Sequence, residues 1–301
     1  MTSPPKNEKT NSEAFRVSIG FVEQIKINSM KTVQAAITVN IKATNTPSND
    51  IDKGRLMASM KNTGRFIYSL VCYGAGVASL IYFILFVNDL WLPQTVNSIV
   101  PSSSLAHVII INTLALLLFG VQHSVMARPA FKRWFAGFID PSVERANYVL
   151  ATALAISGMC YIWIPFGPIV WQIESDMGIS LLRGIAFFGW GFLFLATFMI
   201  NHFELFGLRQ TFDPMQGKPV PDATFKMSGF YKIVRHPIQT GVLIGVWAVP
   251  LSTASHLVFA AGISAYIFVG LYFEEKDLIK EFGDTYLDYM QRVKRVIPFI
   301  Y

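Results

Sequence analysis

Three short stretches of this chain set ionisable side chains beside aromatic rings or turn residues, in combinations that could do chemistry. The first is Gln122-His123-Ser124, followed by Arg128-Pro129. The second runs from Asn201 to Gln210 and interleaves His202 and Glu204 with Phe203 and Phe206, which gives acid/base groups between apolar walls. The third is Arg235-His236-Pro237, continuing through Gln239 to Gly241 and answered by Glu274-Glu275 beyond a long apolar stretch. An arginine and a helix N-terminus suit a ligand carboxylate, while acids and aromatic rings suit a cation or a ribose. The combination matches an amino acid joined to a sulfonium nucleoside. Each stretch also has a plainer reading: a polar helix end, an interfacial anchor with an internal Glu204/Arg209 pair, and an N-cap with proline at the first helical position.

The elements that must carry these residues are membrane helices. Of 301 residues, 52% are hydrophobic and 25 are Phe, while only 15% are charged, too few to coat a water-facing surface of this size. Runs 66–87, 105–122, 146–171 and 184–203 contain no Lys, Arg, Asp or Glu, and each is close to the ~20 residues that cross a bilayer as helix. A fifth run, 238–273, is broken at Pro250-Leu251-Ser252-Thr253 and is expected to form a helical hairpin with a short first arm, 238–249, and a second, 257–273. A hairpin returns both its ends to one face, so Arg235, His236, Glu274 and Glu275 should meet. The fold class expected is all-α: a polytopic bundle of about four spans, the C-terminal hairpin and an amphipathic tail helix. That tail is read from Leu278, Phe282, Tyr286, Tyr289 and Val293, which recur on one helical face, with Gly283 as a weak point.

Loops 88–104 and 165–182 hold no Lys or Arg, whereas the alternate loops are basic, so both termini are expected in the cytoplasm. The net charge of +6 does not mark a nucleic-acid binder. Residues 1–65 hold ten Lys/Arg against five Asp/Glu, and the remainder is nearly balanced, with no basic stripe on a folded face. Residues 1–60 read as a polar, disordered extension without a secretory h-region, ahead of a membrane body over 61–301. Cys72 and Cys160 read as buried apolar residues, and five scattered histidines make no metal set. No glycine-rich dinucleotide fingerprint is present.

The pattern Arg235-His236-Pro237 to Gly241, then Glu274-Glu275 through Leu278, Phe282-Gly283, Tyr286, Tyr289, Val293, Arg295 and Pro298, resembles the isoprenylcysteine carboxyl methyltransferase superfamily and its nurim-like relatives. Strings 119–134 and 200–210 make it more closely similar to the methanethiol S-methyltransferase family, over residues 62–301. The resemblance implies an integral membrane enzyme, expected in the bacterial inner membrane, that methylates methanethiol to dimethyl sulfide with S-adenosylmethionine. It implies a cofactor held by Arg235, His236, Pro237, Gln239, Gly241, Glu274, Glu275, Tyr286 and Tyr289. The isoprenylcysteine enzymes carry Tyr where Gln239 stands, so the ring against the cofactor must come from elsewhere: Tyr231, Tyr286 or Tyr289. A thiol must lose its proton before it attacks. His202 and Glu204 are the first candidates for base or substrate orientation and His123 the next; Gln122, Asn201, Phe203 and Gln210 are candidate substrate contacts. Other readings of the same residues are methylation of another thiol or of a lipidated cysteine carboxylate, a non-catalytic nurim-like protein, and a transporter.

Overall fold

The computed structural model describes residues 48–99, 104–220 and 227–298. Most of the polar extension, and Lys226 among the basic loop residues, lie outside them. By contacts the chain divides into units Met1–Met60 and Lys61–Tyr301. Residues 48–60, all that is described of the first unit, are helical. The second unit holds the bundle, its core and the candidate site.

The described elements are helices α1 (Ser48–Val87), α2 (Leu105–Ala127), α3 (Pro129–Phe135), α4 (Glu144–Ile162), α5 (Asp176–Ile200), α6 (His202–Leu205), α7 (Arg209–Met215), α8 (Pro237–Trp247), α9 (Ala254–Phe282) and α10 (Asp284–Arg292). Two short strands, β1 (Ile169–Gln172) and β2 (Leu251–Thr253), pair antiparallel. Among the described residues α1, α2, α5 and α9 are long and apolar enough to cross a membrane. Their outward faces carry large bare side chains, such as Ile110, Leu114, Leu118 and Val121 on α2 and Phe187, Phe188 and Leu195 on α5. In water such a surface would be untenable; against lipid it is the expected solvent contact. The chain is an integral, multi-pass membrane protein.

Inside the bundle one apolar cluster joins Phe83 and Phe86 (α1), Phe119 (α2), Met159 (α4), Trp190 and Leu193 (α5), Val246 (α8) and Phe259, Ile263, Ile267 and Leu271 (α9). The short arm α8 packs chiefly on α5, through a crossing built from glycines. A Cβ on Gly241 would lie 2.5 Å from the Gly189 carbonyl oxygen and 2.7 Å from the Leu193 backbone. One on Gly245 would lie 2.3 Å from the Trp190 ring. Small residues four apart let two backbones approach as they do in other membrane helix pairs.

The loop expected over 165–182 begins slightly earlier: α4 stops at Ile162, and the chain turns through Pro165 and Gly167 (φ +78) into β1. The turn survives in an apolar setting because buried Asn112 on α2 serves both backbone groups of Ile164, donating to its carbonyl at 2.8 Å and accepting from its N–H at 2.9 Å. The hairpin bends where the break at 250–253 was expected, and the bend holds β2. β2 pairs with β1, so the bend lies at the same end of the bundle as the α4–α5 connection. The eleven residues of α8 rise ~16 Å, and an extended stretch to Thr253 adds up to ~20 Å, which matches the ~31 Å from Ala254 to Glu275 along α9. Finally, the tail is not one amphipathic helix. α9 continues unbroken through Leu278 to Phe282, Gly283 (φ +53) ends it, and only Tyr286 and Tyr289 of the predicted face lie on α10, both buried.

Candidate active site

His236 caps α8 with Pro237 at its first position, and 38 residues later Glu274 and Glu275 lie toward the C-terminal end of α9. The two ends meet as the hairpin predicts. Nε and Nη2 of Arg235 are each 2.8 Å from Oε1 of Glu275, and Nε2 of His236 is 3.1 Å from the same oxygen. Arg295 donates to the other oxygen. Glu275 is therefore buried, with its side chain 4% exposed, and answered by two guanidinium groups. Arg235 also donates through Nη1 to the carbonyls of Met290 and Val293. Its remaining donors are thus directed at this chain's own backbone.

The tail completes the frame. Residue 234 bridges to 294 in parallel, the Arg235 N–H donates to the Lys294 carbonyl at 2.7 Å, and the His236 N–H donates to that of Arg295 at 3.0 Å. The Thr240 hydroxyl reaches the carbonyl of Val296 at 2.8 Å. Residues 293–296 thereby lie along the start of α8 and pin Glu275 from behind.

Glu274 differs. One helical position back, its side chain is 49% exposed and lies 4.0 Å from Nδ1 of His236. Its charge acts on Tyr231 and Tyr286, whose hydroxyls are pushed up first by burial and then by these carboxylates. Tyr289, raised to about 12 by burial, donates its hydroxyl to the carbonyl of Tyr231. The result is an open carboxylate beside an imidazole and several protonated phenols. Gln239 is half-buried near the start of α8, while Gly241 is occupied by the α5 crossing.

His123, on α2, is hydrogen-bonded to the Tyr148 hydroxyl, 2.8 Å from Nε2, and to the Thr152 hydroxyl, 3.1 Å from Nδ1. Its ring lies 5.5 Å from Phe119 and 6.2 Å from Tyr266. Tyr266 stands on α9 two steps of four residues before Glu274, so the His123 network reaches the helix that carries that carboxylate. Gln122 points its amide NH₂ at the Met126 sulfur, and its Oε1 is buried without a hydrogen bond.

His202 sits elsewhere. It is 2% exposed, stacked on Phe198 at 4.2 Å and edged by Tyr73, Phe194, Phe203 and Phe206. The Thr197 hydroxyl donates to the Phe194 carbonyl at 2.6 Å, so at 2.7 Å from Nδ1 it must accept the imidazole N–H. Nε2 then accepts from the Tyr73 hydroxyl at 2.9 Å. Both ring nitrogens are engaged, and burial lowers the pKa of the imidazole below its ordinary value. Glu204 accepts from the Asn201 amide at 2.6 Å and pairs with Arg209 at 3.5 Å, while Gln210 donates to the Glu204 carbonyl. Asn201, at φ +146, ends α5, and Arg145 of α4 ties this segment in by donating from Nε to the Leu205 carbonyl at 2.7 Å while its guanidinium lies 4.9 Å from the centre of the Tyr148 ring.

The structure thus sets His123 of the first stretch against Tyr266 on α9, the helix that carries Glu274 and Glu275, and against Tyr148, which the second stretch reaches through Arg145. Sequence reading passed over Tyr148, Thr152 and Tyr266 because each is one polar group inside an apolar run. The four-residue step from Tyr266 through Gly270 to Glu274 was a usable signal that they share a face.

No family model matches the chain. It is 43% identical over 235 residues to methanethiol S-methyltransferase 1 of Bradyrhizobium diazoefficiens, covering 78% of this chain and 82% of that one. It is 39% identical over 240 residues to methanethiol S-methyltransferase of Mycobacterium tuberculosis, covering 80% and 98%. Nurim of Xenopus laevis is 27% identical over 219 residues, 66% of this chain and 76% of that one.

Proposed function

This chain belongs to the methanethiol S-methyltransferase family, and from that premise we propose that it methylates methanethiol to dimethyl sulfide with S-adenosylmethionine, at a membrane-embedded site open to the cytoplasm. The observation that carries the reading is the division of labour between two adjacent acids. Glu275 is saturated by Arg235, His236 and Arg295, whereas Glu274 is half-exposed, 4.0 Å from His236, and its charge is felt by the phenols of Tyr231 and Tyr286. An open carboxylate beside aromatic rings fits a cationic sulfonium amino acid, so the donor set suits this cofactor. When bound, the cofactor supplies an electrophilic methyl group.

In this reading Glu274 and the His236 imidazole hold the cationic end, with Tyr231, Tyr286 and Tyr289 as flanking rings. Arg235, Pro237 and Glu275 fix the mouth, Gln239 lies two residues inside, and Gly241 holds α8 against α5. The methyl acceptor is a small apolar thiol, which partitions into lipid and can reach an intramembrane site directly. His123 is the proton acceptor, acting through the Tyr148 hydroxyl 2.8 Å away. His202 and Glu204, with Asn201, Phe203 and Gln210, brace the corner where α5 leaves the membrane. A dry pocket favours reaction of an anion with a cation, because charge disappears as they combine.

Basic loops on one side support insertion in a bacterial inner membrane with both termini cytoplasmic. Residues 61–301 form the methyltransferase body and residues 1–60 an extension outside it. Headspace gas chromatography of washed membranes given methanethiol and S-adenosylmethionine tests the activity. Dimethyl sulfide that requires the cofactor and is lost in His236→Ala is expected; no product from membranes that still bind the cofactor would overturn the acceptor assignment.

A further inference from the structure

α9 meets α2 along one stripe in successive layers, and one layer is missing. At the first layer a Cβ on Gly262 would lie 2.7 Å from Leu116. At the next, the Tyr266 ring comes within 3.0 Å of a Cβ position on Gly120, lies 5.3 Å from Phe119, and receives a hydrogen bond from Ser124 at 3.4 Å. Beyond these, Arg128 bonds Asp277 at 2.8 Å and lies 5.1 Å over the Phe273 ring. Gly270 falls between, four residues after Tyr266 and four before Glu274, on that same face. A Cβ there would meet nothing within 4 Å.

The gap lies along the α2–α9 seam, with Tyr266 and Ser124 closing it at one end and Arg128, just past α2, with Asp277 at the other. The neighbouring stripe of Ile263, Ile267 and Leu271 is packed into the core. Each four-residue step rises ~6 Å, so Gly270 stands about one turn from Glu274 on one side and about one turn from Tyr266 on the other, whose ring lies 6.2 Å from that of His123. An open space between the cation-holding group and the proton acceptor is where an acceptor sulfur must stand.

We propose that Gly270 keeps open the compartment of the methyl acceptor between α2 and α9 and so sets the size of thiol admitted. The proposal rests on the thiol methyltransferase reading. Glycine is a poor helix former, and in mid-helix with open space around it there is no packing reason for it. The absent side chain is instead the room required by the substrate. Adding one methyl group removes part of that room, and a leucine fills it.

The test compares wild type, Gly270→Ala and Gly270→Leu, purified in detergent, with Gly191→Leu as the control. Gly191 also has an open Cβ position, but it lies on an exposed face of α5. Thermal stability, S-adenosylmethionine affinity by calorimetry, and kcat and KM for methanethiol are measured. Expected are an unchanged or higher Tm for both Gly270 variants and cofactor Kd within about twofold of wild type. The methanethiol KM should rise about tenfold or more in Gly270→Leu, less in Gly270→Ala and not at all in Gly191→Leu. An unchanged methanethiol KM in Gly270→Leu overturns the proposal, as does a lowered Tm, which would show that the space is filled. Wild type that binds cofactor yet makes no dimethyl sulfide overturns the functional reading and the acceptor compartment with it. An active wild type with an indifferent Gly270→Leu overturns the compartment alone.

Discussion

Arg235 and Glu275 form a two-point ion pair across forty residues of sequence, with Nε and Nη2 of one at 2.8 Å from Oε1 of the other. The pair is buried, and Glu275 also answers Arg295 and His236. Removing its charge leaves two guanidinium groups uncompensated in a dry setting, and breaking such a pair from one side costs about 3–5 kcal/mol. Glu275→Gln is therefore expected to lower the unfolding temperature in detergent sharply. Glu274→Gln, changing an open carboxylate, should leave that temperature nearly unchanged while weakening cofactor binding by about tenfold or more, roughly 1.4 kcal/mol. Equal thermal losses in the two variants would contradict the division between them.

A pH dependence follows from His202. Burial holds its folded-state pKa below the ordinary value near 6.5, so the unfolded chain accepts a proton that the folded protein resists. The stability at stake is present above about pH 6.5 and is lost as the pH falls through that value toward the folded-state pKa. His202→Gln removes the titrating group, so its drop in unfolding temperature between pH 7.5 and 5.5 should be smaller than that of wild type. Thermal scans at the two pH values measure it, and equal drops would show that another group is responsible.

How far the molecule could be read from its sequence depended on how local each cause was. The spans α1, α2, α5 and α9 were legible because charge cannot be afforded along a lipid-facing helix, and the meeting of Arg235 with Glu274 and Glu275 followed from the break at Pro250. The end of α4 was legible in the loop placed over 165–182, but the group that satisfies that turn, Asn112, was not, because it lies 52 residues away from Ile164 on another helix. The different fates of Glu274 and Glu275 depend on helix phase. Glu275 continues the buried stripe of Ile263, Ile267 and Leu271 at steps of four, whereas Glu274 falls beside it. As acid/base candidates His202 and Glu204 were placed ahead of His123, although His202 and His123 are both imidazoles at the end of an apolar run. Only their surroundings separate them, a phenol network in one case and a closed aromatic box in the other.

The α5–α8 crossing gives a third expectation. Gly241→Ala puts a methyl group 2.5 Å from the Gly189 carbonyl oxygen, where backbone rather than a flexible side chain must move. Overpacking of this kind costs about 1–3 kcal/mol. Gly191→Ala, with nothing within 4 Å, adds only helix propensity and should stabilise slightly. Unfolding temperatures of the two variants, measured side by side, should move in opposite directions.

The choice of His123 as proton acceptor predicts a pH–rate profile. A small alkyl thiol is mostly protonated at neutral pH, so an enzyme without a base gains rate only as the thiolate fraction grows, about tenfold per pH unit below the thiol's own pKa. With His123 accepting the proton through the Tyr148 hydroxyl, the rate should already be level between pH 7 and 9. His123→Asn keeps a polar side chain beside Thr152 but cannot take up a proton at these pH values. Its rate at pH 7 should fall about 10²-fold or more and then climb steeply with pH, approaching wild type at the alkaline end. Tyr148→Phe should show the same climb, since it interrupts the path, whereas His202→Gln should keep the level profile because both nitrogens of His202 are already engaged by Tyr73 and Thr197. Rates of dimethyl sulfide release at saturating cofactor, measured for the three variants across that range, decide the matter: a level profile in His123→Asn would remove His123 from the role.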